Sequence, residues 1–245
     1  MRVLVAACLT LLAWVMLSPA PLRAGDAAER AILGFSPDGR WFAFEEFGIQ
    51  DGSGAPYAYI YIVDLDLDRW ASGTPVRVRL DNESNNQPPL SAARREAAAK
   101  AAPILKALGI SEPGIVLGAN PPTEVNQEAY QLTVREHYNL TGPENKLTFN
   151  LQIFDADGGE PCPDPEQKPK GFALTVARGF EPRHELHRDT SIPATRGCPV
   201  GYGISDIIRF DPDTTGKAPR LVALVHVYLT GFEGPDVRFL AVPVR

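Results

Sequence analysis

The chain has 245 residues, a net charge of −6 at pH 7 and a hydrophobic fraction of 44%. This composition excludes wholesale disorder and fits one domain, or at most two small ones. The acidity leaves no electrostatic footprint for nucleic acid or anionic lipid, so neither is expected as a partner.

The chain opens with Met1-Arg2, an apolar run over residues 3–17 and then SPAPLRA, ending at Ala24. A short positive start, an apolar stretch and a small residue at the cut make a secretory signal peptide. Cleavage is expected between Ala24 and Gly25; a cut after Ala20 would leave Pro21 first. A membrane anchor would need about 20 apolar residues, and the prolines end this run sooner. Cys8 follows Val5-Ala6-Ala7 as in a lipoprotein cleavage box, but the apolar run continues past it. The mature chain, residues 25–245, is then a single periplasmic or secreted domain without a membrane span. Its charge falls to −8, because the leader carries Arg2 and Arg23 and no acid.

The 23 prolines and 21 glycines cut the chain into short segments, most of them alternating and rich in β-branched or aromatic residues. Strands are predicted near 41–47, 57–64, 76–80, 130–137, 147–154, 172–178, 204–210, 220–229 and 237–244. One helix is predicted over 91–108, SAARREAAAKAAPILKAL. Ser91 is placed to cap it and Gly109 to end it. Ala97, Ala101, Ile104, Leu105 and Leu108 give it a buried stripe, and Pro103 should kink it or start a second helix. The loop over 155–170 is long for a compact domain unless tethered. Cys162 and Cys198, the two cysteines outside the leader, are expected to form a disulfide that tethers it. Two separate thiols or a zinc site are the alternatives.

The fold class is therefore mainly β, with antiparallel hairpins in a propeller-like or sandwich arrangement and one packing helix. The segment FSPDGR (35–40), followed by WFAF and then YIYIVD (59–64), resembles the WD40-like propeller repeat of the TolB type. A weaker echo, FDPD (210–213) before LVAL and DVRFLAV, suggests that the terminal hairpins are equivalent units. No further copy is found between them. The opening FSPDGRWFAFEEFG, the YIYIVD strand and CPVGYGISDIIRF (198–210) also resemble a bacterial family of predicted secreted proteins of unknown function. That resemblance implies export and one domain, and no activity.

Candidate chemistry is sparse. His184 and His187 are three apart; on a strand they would point to opposite faces, and the zincin pattern needs an i, i+4 pair. Asp155 and Asp157 begin a Gly-rich turn resembling a calcium loop but lack its sixth-position glycine and closing glutamate. Asp64, Asp66 and Asp68 would line one strand face and must meet cations or water. Asn82 and Asn139 stand in glycosylation acceptors, a reading that requires a eukaryotic secretory route. No catalytic set and no cofactor is read from the sequence. The expectation is a noncatalytic binding or interaction module whose partner is a protein or envelope component. A hydrolase, metal-dependent or otherwise, using His184/His187 or Asp155/Asp157 is the alternative. Intact mass of the exported protein checks the leader: the chain should begin at Gly25, and retention of residues 1–24 would contradict the reading.

Overall fold

The computed structural model describes residues 25–81, 87–124, 128–212, 216–231 and 234–244. The leader and its cleavage point, and the acceptor at Asn82, lie outside the described residues. The described strands form three antiparallel sheets. Sheet I holds β1 (Glu29–Phe35), β2 (Trp41–Ile49) and β3 (Pro56–Asp64), with β4 (Arg69–Trp70) and β5 (Val76–Arg79) both pairing β3. Sheet II runs β10-β9-β8-β7, built from β7 (Gln131–Arg135), β8 (Lys146–Asp155), β9 (Lys170–Arg178) and β10 (His184–Arg188). Sheet III runs β13-β12-β11-β6, from β6 (Ile115–Ala119), β11 (Pro199–Phe210), β12 (Arg220–Thr230) and β13 (Pro235–Val244). All nine predicted strands are present.

Sheet III is the central layer. Residues 221–227 of β12 are buried without interruption, as a strand covered on both faces must be. Leu221, Ala223, Val225 and Val227 face sheet II, packing with Phe149, Phe172 and Leu174. Val222 and Leu224 face sheet I, packing with Phe35, Phe42 and Phe44. The outer face of sheet I is closed by α1 (Leu90–Ala107), whose Ala93, Ala97 and Ala101 sit on Ala43, Ala58, Ile60 and Ile62. The layers are thus helix, sheet I, sheet III and sheet II.

The FSPDGR segment makes the β1–β2 turn as predicted. The Gly39 N–H donates to the Ser36 carbonyl at 2.8 Å, and Asp38 accepts from the Ser36 hydroxyl at 2.6 Å. Gly39 has φ +70°, and a Cβ there would lie 2.8 Å from Arg220 Cγ and 2.9 Å from Pro212 Cγ. The turn therefore rests on the β11–β12 connection, its counterpart in the terminal echo. The two phenylalanines that open the echo, Phe35 and Phe210, stack at 4.9 Å with planes 8° apart. The two meanders β1–β3 and β11–β13 lie face to face, with Phe44 and Leu224 both turned into the shared core. No closed ring or barrel is seen among the described residues. Helix α1 covers the face of sheet I on which a further propeller blade would have to pack, and the architecture is a layered sandwich.

Two details of the helix differ from expectation. It runs through Pro103 with no second helix starting there, and its N-cap is Pro89 without a side-chain cap bond, not Ser91. Its end is as predicted: Gly109 has φ +66°, and the Ile110 N–H reaches the Leu105 carbonyl at 2.9 Å, a Schellman closure. Asp64, Asp66 and Asp68 do not share a strand face, because β3 ends at Asp64 and the chain turns. Their cations come from elsewhere: Arg40 bonds Asp64 at 2.7 Å and Arg220 bonds Asp66 at 2.5 Å. The disulfide Cys162–Cys198 is formed, with Cα atoms 5.2 Å apart, and it ties the 155–170 loop to the start of β11.

The layers are also pinned by buried polar groups. Asp206 on β11 is 1% exposed and pairs with Arg30 on β1. Beside them His226 on β12 is 1% exposed, and burial pushes its imidazole down to about 4. The unfolded chain therefore binds a proton that the folded chain refuses between the ordinary 6.5 and about 4. Stability should be fully present near pH 7 and fall by about 3 kcal/mol as pH drops through that window. His226→Gln should flatten this part of the urea-midpoint-versus-pH curve; an unchanged slope would show that His226 does not cause it.

Candidate functional site

A hollow of about 530 Å³ runs along the outer edge of β13. That volume suits a bound ligand. Strand alternation makes its first wall. In YIYIVD, Ile60 and Ile62 turn to α1, so Tyr59 and Tyr61 turn the other way, into the hollow. In the VRVR segment of β5, Val78 likewise joins the helix side, and Arg77 stands opposite Tyr59 on the cleft side. Trp70 and Arg69 on the short β4 overhang the mouth. The Arg77 guanidinium lies 5.9 Å from the ring centres of both Tyr59 and Trp70. The floor is β13, and the far wall is His187 with the 193–196 segment.

The charges lining the cleft are unequal in availability. Glu46 is 1% exposed; its carboxylate accepts from the Phe239 N–H at 3.0 Å and the Tyr61 hydroxyl at 3.0 Å. Burial pushes its carboxyl above the ordinary range, against the opposing pull of these bonds and of Arg238. Burial and the adjacent Glu46 push the Tyr61 phenol up as well. Arg238 pairs with Asp26 at 2.6 Å. Among the described residues, Arg69 and Arg77 take part in no ion pair. The cleft thus offers two guanidiniums outside any ion pair, that of Arg77 over aromatic rings, in a protein that is acidic overall.

His187 is committed to structure. Its ring stacks on Phe172 with centres 4.6 Å apart, and its Nε2 lies 3.1 Å from Asp189 Oδ1. Asp189 also receives Arg196 at 2.8 Å and the Phe172 N–H at 3.1 Å. Burial alone would push the Asp189 carboxyl up, but the bonds from His187 and Arg196 outweigh it and hold it below the ordinary range.

The other sequence candidates lie elsewhere. A register shift between Glu185 and His187 sets His184 opposite Val176 and His187 opposite Leu174, on one side of the sheet. The expected opposite facing fails because the bulge adds a residue to β10. Even so, His184 is exposed and borders a different, smaller hollow with Glu136, Arg178 and Leu221. Asp155 is exposed and paired with Lys170 at 2.5 Å, which lowers its carboxyl. Asp157 is exposed and contributes its carbonyl to the Ile192 N–H. The structure does not bring these four together. No group of three or more His, Cys, Asp or Glu able to hold a metal occurs among the described residues.

Fold and site together define a disulfide-tethered, layered β protein with a ligand-sized cleft at a sheet edge. Residues 43–245 match the family described as predicted secreted protein, DUF2259, a domain of unknown function, and the chain belongs to that family. The match covers YIYIVD and CPVGYGISDIIRF but begins after FSPDGRWF. The family's description is consistent with export. No helix among the described residues is long and apolar enough to cross a membrane. No curated protein matches the chain.

Arg196 and Asp189 are both nearly buried, with side chains 13% and 3% exposed. Removing one partner of such a pair strands a buried charge. Arg196→Met should therefore cost roughly 3–5 kcal/mol in urea unfolding, and Asp189→Asn in the same chain should recover part of it. Additive losses would contradict the pairing.

Proposed function

We propose that this chain is an exported, noncatalytic binding module. It is made with a leader cleaved after Ala24, folds as one domain over 25–245, and holds its partner in the cleft along β13. The observation that carries the reading is that Arg69 and Arg77, both outside any ion pair, line a cavity of about 530 Å³ together with Tyr59, Tyr61 and Trp70, Arg77 lying over the rings of Tyr59 and Trp70. Among the described residues, neither guanidinium has a carboxylate within ion-pair distance, which leaves both able to receive one. Such an arrangement is suited to an anionic ligand with apolar surface. The separation of His184, His187, Asp155 and Asp157 supports binding over hydrolysis, because a hydrolytic site needs such groups to converge on one reacting atom.

A photo-crosslinking residue placed at Trp70 in the exporting cell tests this. Trp70 is 38% exposed at the cleft mouth, and Tyr138 is 94% exposed on another loop and serves as control. Specific adducts should form from position 70 and not from 138. No adduct from position 70, or the same adducts from both, would overturn the proposal.

A further inference from the structure

We infer that the cleft takes an extended, acidic peptide segment of another protein, added as a strand to the open edge of β13. The inference rests on the binding role just proposed and specifies its ligand. Its first support is which residues line the cavity. Phe239, Leu240, Ala241 and Val242 all do so, although neighbours along a strand face opposite ways. Consecutive lining means that the edge of β13, and not one of its faces, borders the cleft.

The hydrogen-bond pattern shows what that edge offers. Val237 turns its main chain outward: its N–H donates to Asp26 and its carbonyl accepts from Ala28, at 2.9 and 3.1 Å. Outward groups recur at every second residue. The next outward donor, the Phe239 N–H, is taken by the Glu46 carboxylate. Following it are the Phe239 carbonyl and then the N–H and carbonyl of Ala241, for which no partner occurs among the described residues. Pro243 has no N–H and closes the row. Two devices that blunt a sheet edge, a side-chain cap and a proline, therefore bracket a short stretch left unpaired. The four lining residues span roughly 13 Å at ~3.3 Å each, which suits a short extended segment better than a compact molecule.

Side-chain chemistry indicates what the added strand carries. Its residues would alternate between two walls. One wall is Phe44, Tyr61 and Trp70 with Arg69 and Arg77; the other is Val227 and Leu229 with His187. Carboxylates toward the first wall would meet the two uncommitted guanidiniums, and apolar side chains toward the second would meet the aliphatic surface. An alternating acidic and apolar segment satisfies both.

The test uses the disulfide-bonded mature chain and a fluorescent nine-residue peptide alternating valine and glutamate, read by anisotropy. Two twins accompany it, one with N-methyl groups on the amides of one edge and one with lysine for glutamate. The parent should bind, and each twin should bind at least about tenfold more weakly, as expected for losing main-chain bonds or charge pairing. Arg69→Ala with Arg77→Ala should weaken the parent by a similar factor while the chain still unfolds in one cooperative transition. Equal binding of parent and N-methylated twin would overturn strand addition. Failure of all three peptides while position 70 still forms specific adducts would also overturn it, leaving the cleft as a site for another ligand. Failure of both experiments would remove the binding role itself.

Discussion

The structure depends on two neighbouring strands, β11 and β12, being covered on both faces. Over residues 221–227, β12 is buried on both faces, so every side chain has to match a neighbouring layer and the register admits no slip. Sheets I and II are held where they are because each supplies the cover for one set of alternating residues. Burial at roughly 25 cal/mol per Å² of apolar surface makes these two interfaces the dominant favourable contribution. Helix α1 follows from the same requirement one layer out. Its fully buried residues are Ala93, Ala97 and Ala101, so the helix can lie close to the small and β-branched side chains beneath.

Apolar layers alone would slide, and polar groups fix them at particular points. Arg30–Asp206 joins sheet I to sheet III, Asp26–Arg238 holds the segment before β1 against β13, and Asp189–Arg196 anchors the segment before β11 to sheet II. Glu46 reaches from sheet I to the main chain of β13. Of these groups, Glu46, Arg196 and Arg238 also line the cleft along β13. The cleft is what remains between them, with the edge of β13 along its floor.

Much of the fold was legible in the sequence because it is written in local period. The strands of period two, the alanine-rich helix and its Gly109 stop all read directly. The Phe35 and Phe210 echo was visible too, since it uses the same turn chemistry twice. β1, β6 and β10 were harder. ERAILGF contains a glycine bulge, IVLGA is too short to show a period, and HELHR has its alternation broken by a bulge that also reverses the expected facing of His184 and His187. Asp64 looked like part of a charged strand because nothing local reveals that Arg40 and the turn amides would claim it. The cleft was not legible as a site, since it joins residues from 44 to 242. A trace of it was present: YIYI and VRVR each place one chemistry toward the helix and another away from it. The tyrosines and arginines could have been recognised as sharing an uncovered face.

The claim on which the account turns is that β13, beside the doubly buried β12, carries a stretch of edge with no main-chain partner among the described residues. Amide hydrogen exchange by NMR reads this directly. In the free protein, the amides of residues 221–227 should be among the slowest to exchange, and the Ala241 amide should exchange much faster despite its position inside a regular strand. Adding the valine–glutamate peptide should slow Ala241 selectively. An Ala241 amide as protected in the free protein as those of β12 would mean that the edge is already satisfied, and it would contradict the account.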